Sequence, residues 1–173
     1  MEPLRSLPAT SLTWEVVERG EPLRSLKWEA AAVAEMRWAV GFAAEGATSN
    51  TRDGAWTFDR HGMLSKSVMI ESHGGLAAAF DAGGWEGGGQ LETELGTRFT
   101  FAPASLLSTR WAFTGADGGR IVSFLVERRR LFRTVEVVRI EPAGVGSAEL
   151  PLLICLGSWL AALARRDQGS GVS

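Results

Sequence analysis

Tyrosine is absent from this chain of 173 residues, cysteine occurs once and histidine twice. The single thiol, Cys155, excludes an intrachain disulfide and any cysteine-rich metal cluster. His61 and His73 would need carboxylates to complete a zinc site, and no metal-ligand spacing joins them to one. No metal or other cofactor is therefore expected. The lack of tyrosine also removes one common general acid. Charge of one sign is scarce: Lys+Arg 18 against Asp+Glu 20 leaves a net charge of -2, which gives no reason to expect nucleic acid as a partner. Met1 to Thr10 holds Glu2, Arg5 and two prolines but no apolar run, so no secretory leader is expected. A cytoplasmic location, at most peripheral to a membrane, is the expectation. Glycine is plentiful at 21 residues, yet it follows no Gly-X-Y period, and collagen is excluded.

Apolar residues make up 45% of the chain, enough for one substantial core in a single domain. Most of them alternate with polar ones, the period of two of a half-buried strand. Met36, Trp38, Val40 and Phe42 follow this pattern, as do Leu12, Trp14 and Val16. So do Trp56 and Phe58, Leu91 to Leu95, Phe99 and Phe101, and Leu107 to Phe113. Less regular strands are expected at Leu23 to Trp28, Met63 to Glu71, Gly75 to Asp81, Gly119 to Val126 and Leu131 to Ile140. Turn residues such as His73-Gly74-Gly75 and Asp117-Gly118-Gly119 separate them. A twelfth strand is expected if Pro3 to Leu7 pairs. That segment belongs to a short repeat, Glu2 to Leu7 and Glu21 to Leu26, which reads as two similar strand beginnings. Turns spaced by roughly 8 to 12 residues are typical of an antiparallel sandwich or barrel.

Leu150 to Ala164 is different, an uncharged run followed by Arg165-Arg166. Ser147 can cap it, Glu149 suits a first turn, and Pro151 falls where no amide donor is needed. A helix here, over about 148–166, is apolar on every side and must be surrounded. Its apolar run spans roughly 22 Å, short of the roughly 30 Å core of a bilayer, so no transmembrane span is expected. A sheet covers only one face of a helix, whereas a barrel closed around it covers all faces and removes the sheet edges. The expected fold is mainly β: a closed antiparallel barrel of about twelve strands around a hydrophobic C-terminal helix. One domain over 1–166 is followed by a flexible Gly/Ser-containing tail at 167–173.

Gly89-Gln90-Leu91, Gly96 with Phe99 and Phe101, Trp111, and Asp117-Gly118-Gly119-Arg120-Ile121 also carry a family resemblance. The pattern resembles that of the tubby C-terminal-like superfamily, which takes in tubby, LURP-one-related and phospholipid scramblase proteins. The resemblance covers residues 10–166. It implies a twelve-stranded barrel threaded by a hydrophobic C-terminal helix, with basic surface residues that bind phosphoinositides. The cysteine cluster and acidic calcium loop of the scramblase branch are not matched in this sequence, so scrambling itself is not implied.

Arginine is concentrated in residues 98–139, and Arg128-Arg129-Arg130 with Arg133 forms the sharpest cluster. Guanidinium groups on a turn can bind phosphate through paired hydrogen bonds. Arg98, Arg110, Arg120 and Arg139 extend the patch only if their strands are neighbours. Trp85, within the glycine-rich stretch Gly83 to Gly89, is a candidate ligand or membrane contact; the stretch lacks the Lys-Ser/Thr of a phosphate loop. Glu92 and Glu94 read as a solvated strand face, His61 and His73 as turn residues. No Gly-X-Ser-X-Gly elbow occurs, and no catalytic constellation is recognised. The expectation is a non-enzymatic barrel that docks on anionic phospholipid, or on a phosphorylated ligand, through its arginine-rich face. The alternative is a carbohydrate- or small-molecule-binding β module that uses Trp85. The register of Leu131 to Ile140 stays open, because one face turns Arg133 and Arg139 inward and the other turns Glu136 inward.

Overall fold

The computed structural model describes residues 1–16, 23–38, 46–61, 67–75, 77–83, 88–104, 110–129 and 133–169. Twelve strands follow one another: β1 (Ser11–Val16), β2 (Leu23–Trp28), β3 (Ala31–Trp38), β4 (Gly46–Thr51), β5 (Ala55–His61) and β6 (Ser67–Ser72), then β7 (Ala78–Asp81), β8 (Gly89–Thr93), β9 (Arg98–Pro103), β10 (Arg110–Thr114), β11 (Arg120–Arg129) and β12 (Arg133–Ile140). Each pairs antiparallel with the next. β1 then pairs with β12, Ser11 opposite Arg139 and Leu12 opposite Val138, and the sheet closes into a barrel. A 20-residue helix, α1 (Leu150–Gly169), follows the last strand.

The alternation in the sequence becomes the two faces of the wall. Val68 and Ile70 of β6, Leu91 of β8, Phe99 and Phe101 of β9 and Trp111 and Phe113 of β10 are buried. The intervening Met69, Gln90, Glu92 and Thr100 are exposed. The helix fills the lumen. Every residue from Leu150 to Ala161 is buried, on all sides of the helix. Phe58 of β5 stacks on Trp159 with ring centroids 5.7 Å apart, while Phe124 of β11 lies against Gly157. β5 and β11 stand six places apart in the ring of twelve, on opposite walls, so α1 is held from both sides. Burying each of its leucines is worth roughly 1.5–3 kcal/mol, which is why an all-round apolar helix belongs inside. Ser158 fixes its rotation: the Trp14 indole N–H of β1 donates to Ser158 Oγ at 2.8 Å, and that hydroxyl donates to the Ile154 carbonyl at 2.8 Å.

The chain meanders, so every second connection lies at the same end of the barrel. At the near end, where α1 begins, a 3-10 turn at Leu4–Ser6 covers the opening and buries Leu4 and Leu7. Asp53, between β4 and β5, accepts from the Leu4 backbone N–H and the Arg5 guanidinium. Ser147 accepts from the Glu149 backbone N–H at 3.3 Å and donates to the Glu149 carboxylate, so the pair shapes the start of α1. The helix runs to Gly169, beyond the expected start of the tail at 167.

Two sequence expectations need correction. The twelfth strand is β4, not Pro3 to Leu7. Its lumen-facing residues are Ala47, Ser49 and Thr51, small or polar groups that leave room for α1 and give no hydrophobic alternation. The repeated hexapeptide also takes two conformations. The first copy forms the 3-10 turn, whereas Leu23 to Leu26 of the second enters β2, where pairing with β1 and β3 overrides local preference.

Candidate functional site

At the far end, where α1 finishes, the structure resolves the open register of β12. Val138 and Ile140 face the lumen, and Glu136 takes the same face, opposite Val126 of β11. Arg139 lies on the other face, half-buried, opposite Ser11 and Ser123. The inward carboxylate has partners from two distant segments. Arg165 Nη2 of α1 donates to Glu136 Oε2 at 2.8 Å, and Arg24 Nη1 of β2 approaches the same oxygen at 3.5 Å. Aromatic rings flank both cations: the Arg24 guanidinium lies 5.0 Å from the Trp38 ring centroid, and that of Arg165 lies 5.7 Å from the Trp111 ring.

This layer is buried unevenly. Only 7% of the Glu136 side chain is exposed, against 37% for Arg24 and 27% for Arg165. Burial raises the Glu136 carboxyl above its ordinary range, although Arg165 and Arg24 both pull it down. Four polar atoms in the layer are buried without a hydrogen-bond partner: Glu136 Oε1, Arg165 Nη1, Trp38 Nε1 and Trp111 Nε1. Sequence reasoning named Glu136 as a possible inward charge but found neither arginine, because β2 and α1 lie far from β12 in the chain.

The expected arginine cluster falls at the same end. Arg128 and Arg129 are the last residues of β11 and Arg133 is the first of β12, with Arg129 paired opposite Arg133. Arg130 and Trp85 lie outside the described residues, and so do the side chains of Arg128, Arg129 and Arg133. Arg110 begins β10 at this end. Arg98, Arg120 and Arg139 lie toward the near end of their strands, so the barrel does not bring them to the turn.

The remaining candidates have ordinary surroundings. Glu92 pairs with Arg98 at 3.1 Å across β8 and β9, and Glu94 is exposed beyond β8. His73 Nε2 lies 3.2 Å from Thr57 Oγ1 on the outer wall, and His61 ends β5. Cys155 is buried against the lumen side of β4, and burial pushes its thiol up to about 12, which keeps it protonated. Among the described residues no group of three His, Cys, Asp or Glu is placed to hold a metal ion. No described helix is long and apolar enough to cross a membrane.

The fold has a counterpart among solved structures. A protein from Arabidopsis thaliana solved by X-ray crystallography superposes with a TM-score of 0.51 at 10% sequence identity, over 90% of this chain and 94% of that one. At that identity the likeness is one of fold alone. No protein-family model matches the sequence, and no curated protein matches it.

Proposed function

We propose that this chain is a tubby-like barrel that docks on anionic phospholipid surfaces through its far end. The supporting observation is topological. The ends of β11 and β12 that carry Arg128, Arg129 and Arg133 share one end of the barrel with Arg24, Arg110 and the last turns of α1, where Arg165 and Arg166 stand. The arginines at the meeting of β11 and β12 would make a local cationic patch that neither composition nor net charge reveals, with Glu15, Asp81 and Glu127 exposed at the same end.

The sequence adds an apolar component. Between these strands the sequence holds Phe42, Leu64, Trp85, Leu107 and Phe132, in stretches that lie outside the described residues. The connections at the near end carry Glu29, Arg52, Asp53, Glu94 and Asp117, together with the exposed Leu95. A sequence that combines cations and apolar residues in this way suits an interface where headgroups meet acyl chains.

Co-sedimentation with neutral and anionic vesicles, at low and near-physiological salt, tests the reading. The wild type is expected to sediment only with anionic vesicles, and an Arg128→Ala/Arg129→Ala/Arg133→Ala variant with an unchanged circular dichroism spectrum is expected to stay in the supernatant. Equal sedimentation of the two proteins, or none by either, removes the proposal.

A further inference from the structure

The outer wall of the barrel carries a trough of about 510 Å³ that runs over β6 to β9. We propose that it is a binding site for a small organic ammonium ion, a primary amine carried on a short apolar body. The inference is independent of docking on a lipid surface and uses none of the arginines invoked there.

Local structure makes the trough. β7 is the shortest strand, with four residues, and its register places Ala79 between Met69 of β6 and Glu92 of β8 on the outer face. A methyl group thus lies between two long side chains. Neighbouring strands are roughly 4.8 Å apart, so the flanking backbones stand roughly 10 Å from each other, room for one ring or alkyl chain laid along β7. Further along, the trough passes Asp81 and its cross-strand neighbour Gln90, then Gly83 and Gly89, which add no side chain to close it. Gly89 has no alternative, because a Cβ there would overlap the Asp81 carbonyl oxygen and the Phe80 ring. The volume falls within the roughly 300–1,000 Å³ usual for small-molecule sites.

Two features choose the ligand. The first is an apolar floor and wall. Met69 is 54% exposed, and among the described residues it is the only large apolar side chain within a strand so open to water. A lone exposed methionine is ordinary on a flat surface. Beside a methyl floor, its flexible thioether can close over an apolar body. The second feature is charge. Arg98 Nε donates to Glu92 Oε2 at 3.1 Å, so these two offset each other. Neither Asp81 nor Gln90 has a side-chain partner among the described residues. The trough therefore carries one uncompensated negative charge with an amide carbonyl beside it. A complementary ligand donates from a cation to Asp81 and Gln90 and lays its body over Ala79 against Met69. Ala79 and Asp81 are two residues apart, roughly 7 Å along the strand, which suits a spacer of two or three carbons. A carboxylate or phosphate would meet Asp81 with like charge, and a neutral alcohol would forgo the charge-assisted hydrogen bond.

The experiment is a titration of the full chain with 13C-labelled methionine methyl groups, Met69→Leu identifying the Met69 signal among the four methionines. Phenethylammonium, 2-phenylethanol, 3-phenylpropionate and ethylammonium are added in separate arms at matched ionic strength. The Met69 signal is expected to shift saturably with phenethylammonium and roughly fivefold more weakly with 2-phenylethanol, the order of one exposed ion pair. The response to 3-phenylpropionate is expected to be weaker again. Ethylammonium, which has the charge without the body, is expected to leave the signal in place at the same concentrations. In Asp81→Asn the preference for the amine over the alcohol is expected to disappear. Ala79→Leu fills the floor from outside the core and is expected to abolish the response to phenethylammonium while the circular dichroism spectrum stays the same. The wild-type comparison needs no variant to fold. No Met69 shift with phenethylammonium, equal responses to amine and alcohol, or a preference that survives Asp81→Asn overturns the site, whatever vesicle sedimentation shows.

Discussion

Gly157 lets α1 lie close against the barrel wall. A Cβ built there would overlap the Phe124 ring and lie 3.0 Å from Phe113 Cε2. Within a helix, replacing glycine by alanine usually stabilises by about 1 kcal/mol. Forcing an extra methyl into a packed core costs about 1–3 kcal/mol. The second effect wins here, because Phe113 and Phe124 are fully buried and press on other rings, Phe101 among them. Gly157→Ala is expected to lower the free energy of unfolding by about 1–2 kcal/mol, read from the urea midpoint at unchanged slope. An unchanged or raised midpoint would mean that the rings yield. Nothing in the sequence marked this glycine, since a lone glycine in an apolar run looks the same whether or not a ring faces it. Cys155 was legible at this scale, because a thiol inside an uncharged helix is buried wherever that helix goes.

Among the elements, the strands whose inward residues are large were the easiest to read. β5, β9 and β10 announce themselves through Trp56, Phe58, Phe99, Phe101, Trp111 and Phe113. β4 did not, because its inward positions must stay small beside the helix. β12 was found but its facing was not, since its buried charge is balanced by arginines from β2 and α1. That arrangement has a measurable consequence. Burial raises the native Glu136 carboxyl, so between the ordinary carboxylate pKa and the raised one the folded chain holds a proton that the unfolded chain has released. The contribution of this group to stability is therefore greatest at acid pH and declines as pH rises through that window. Glu136→Gln stays neutral and shows no such decline. The unfolding free energy of the wild type minus that of Glu136→Gln is expected to fall with rising pH in a series of denaturant titrations. A difference that grows with pH would mean that the two arginines outweigh burial.

At the scale of the whole molecule, the barrel and the helix share one hydrophobic core. The reasoning that led from an all-round apolar helix to a closed sheet around it held, because a single physical requirement, covering every face of α1, admits few architectures. Which of the connections between β1 and β3 share an end with the arginine turn was not legible, because that depends on the missed β4. Leu156 is fully buried in the first half of α1. Leu156→Asp is expected to abolish soluble, cooperative folding, since a carboxylate there has no partner in the lumen. Circular dichroism with a sharp thermal transition in that variant would show that the helix need not occupy the barrel.

The pairing of β1 with β12 joins segments more widely separated along the chain than any other two neighbouring strands, and α1 follows both. During synthesis the outer edge of β1 therefore waits, unpaired, until eleven further strands have been made. The lumen stays unfilled for longer still. A growing sheet of this kind exposes apolar residues and a free edge together, the combination that leads to intermolecular pairing. Closure is thus a late, non-local event and sets a slow pace for folding. The nascent chain has reason to depend on chaperones until its final helix arrives.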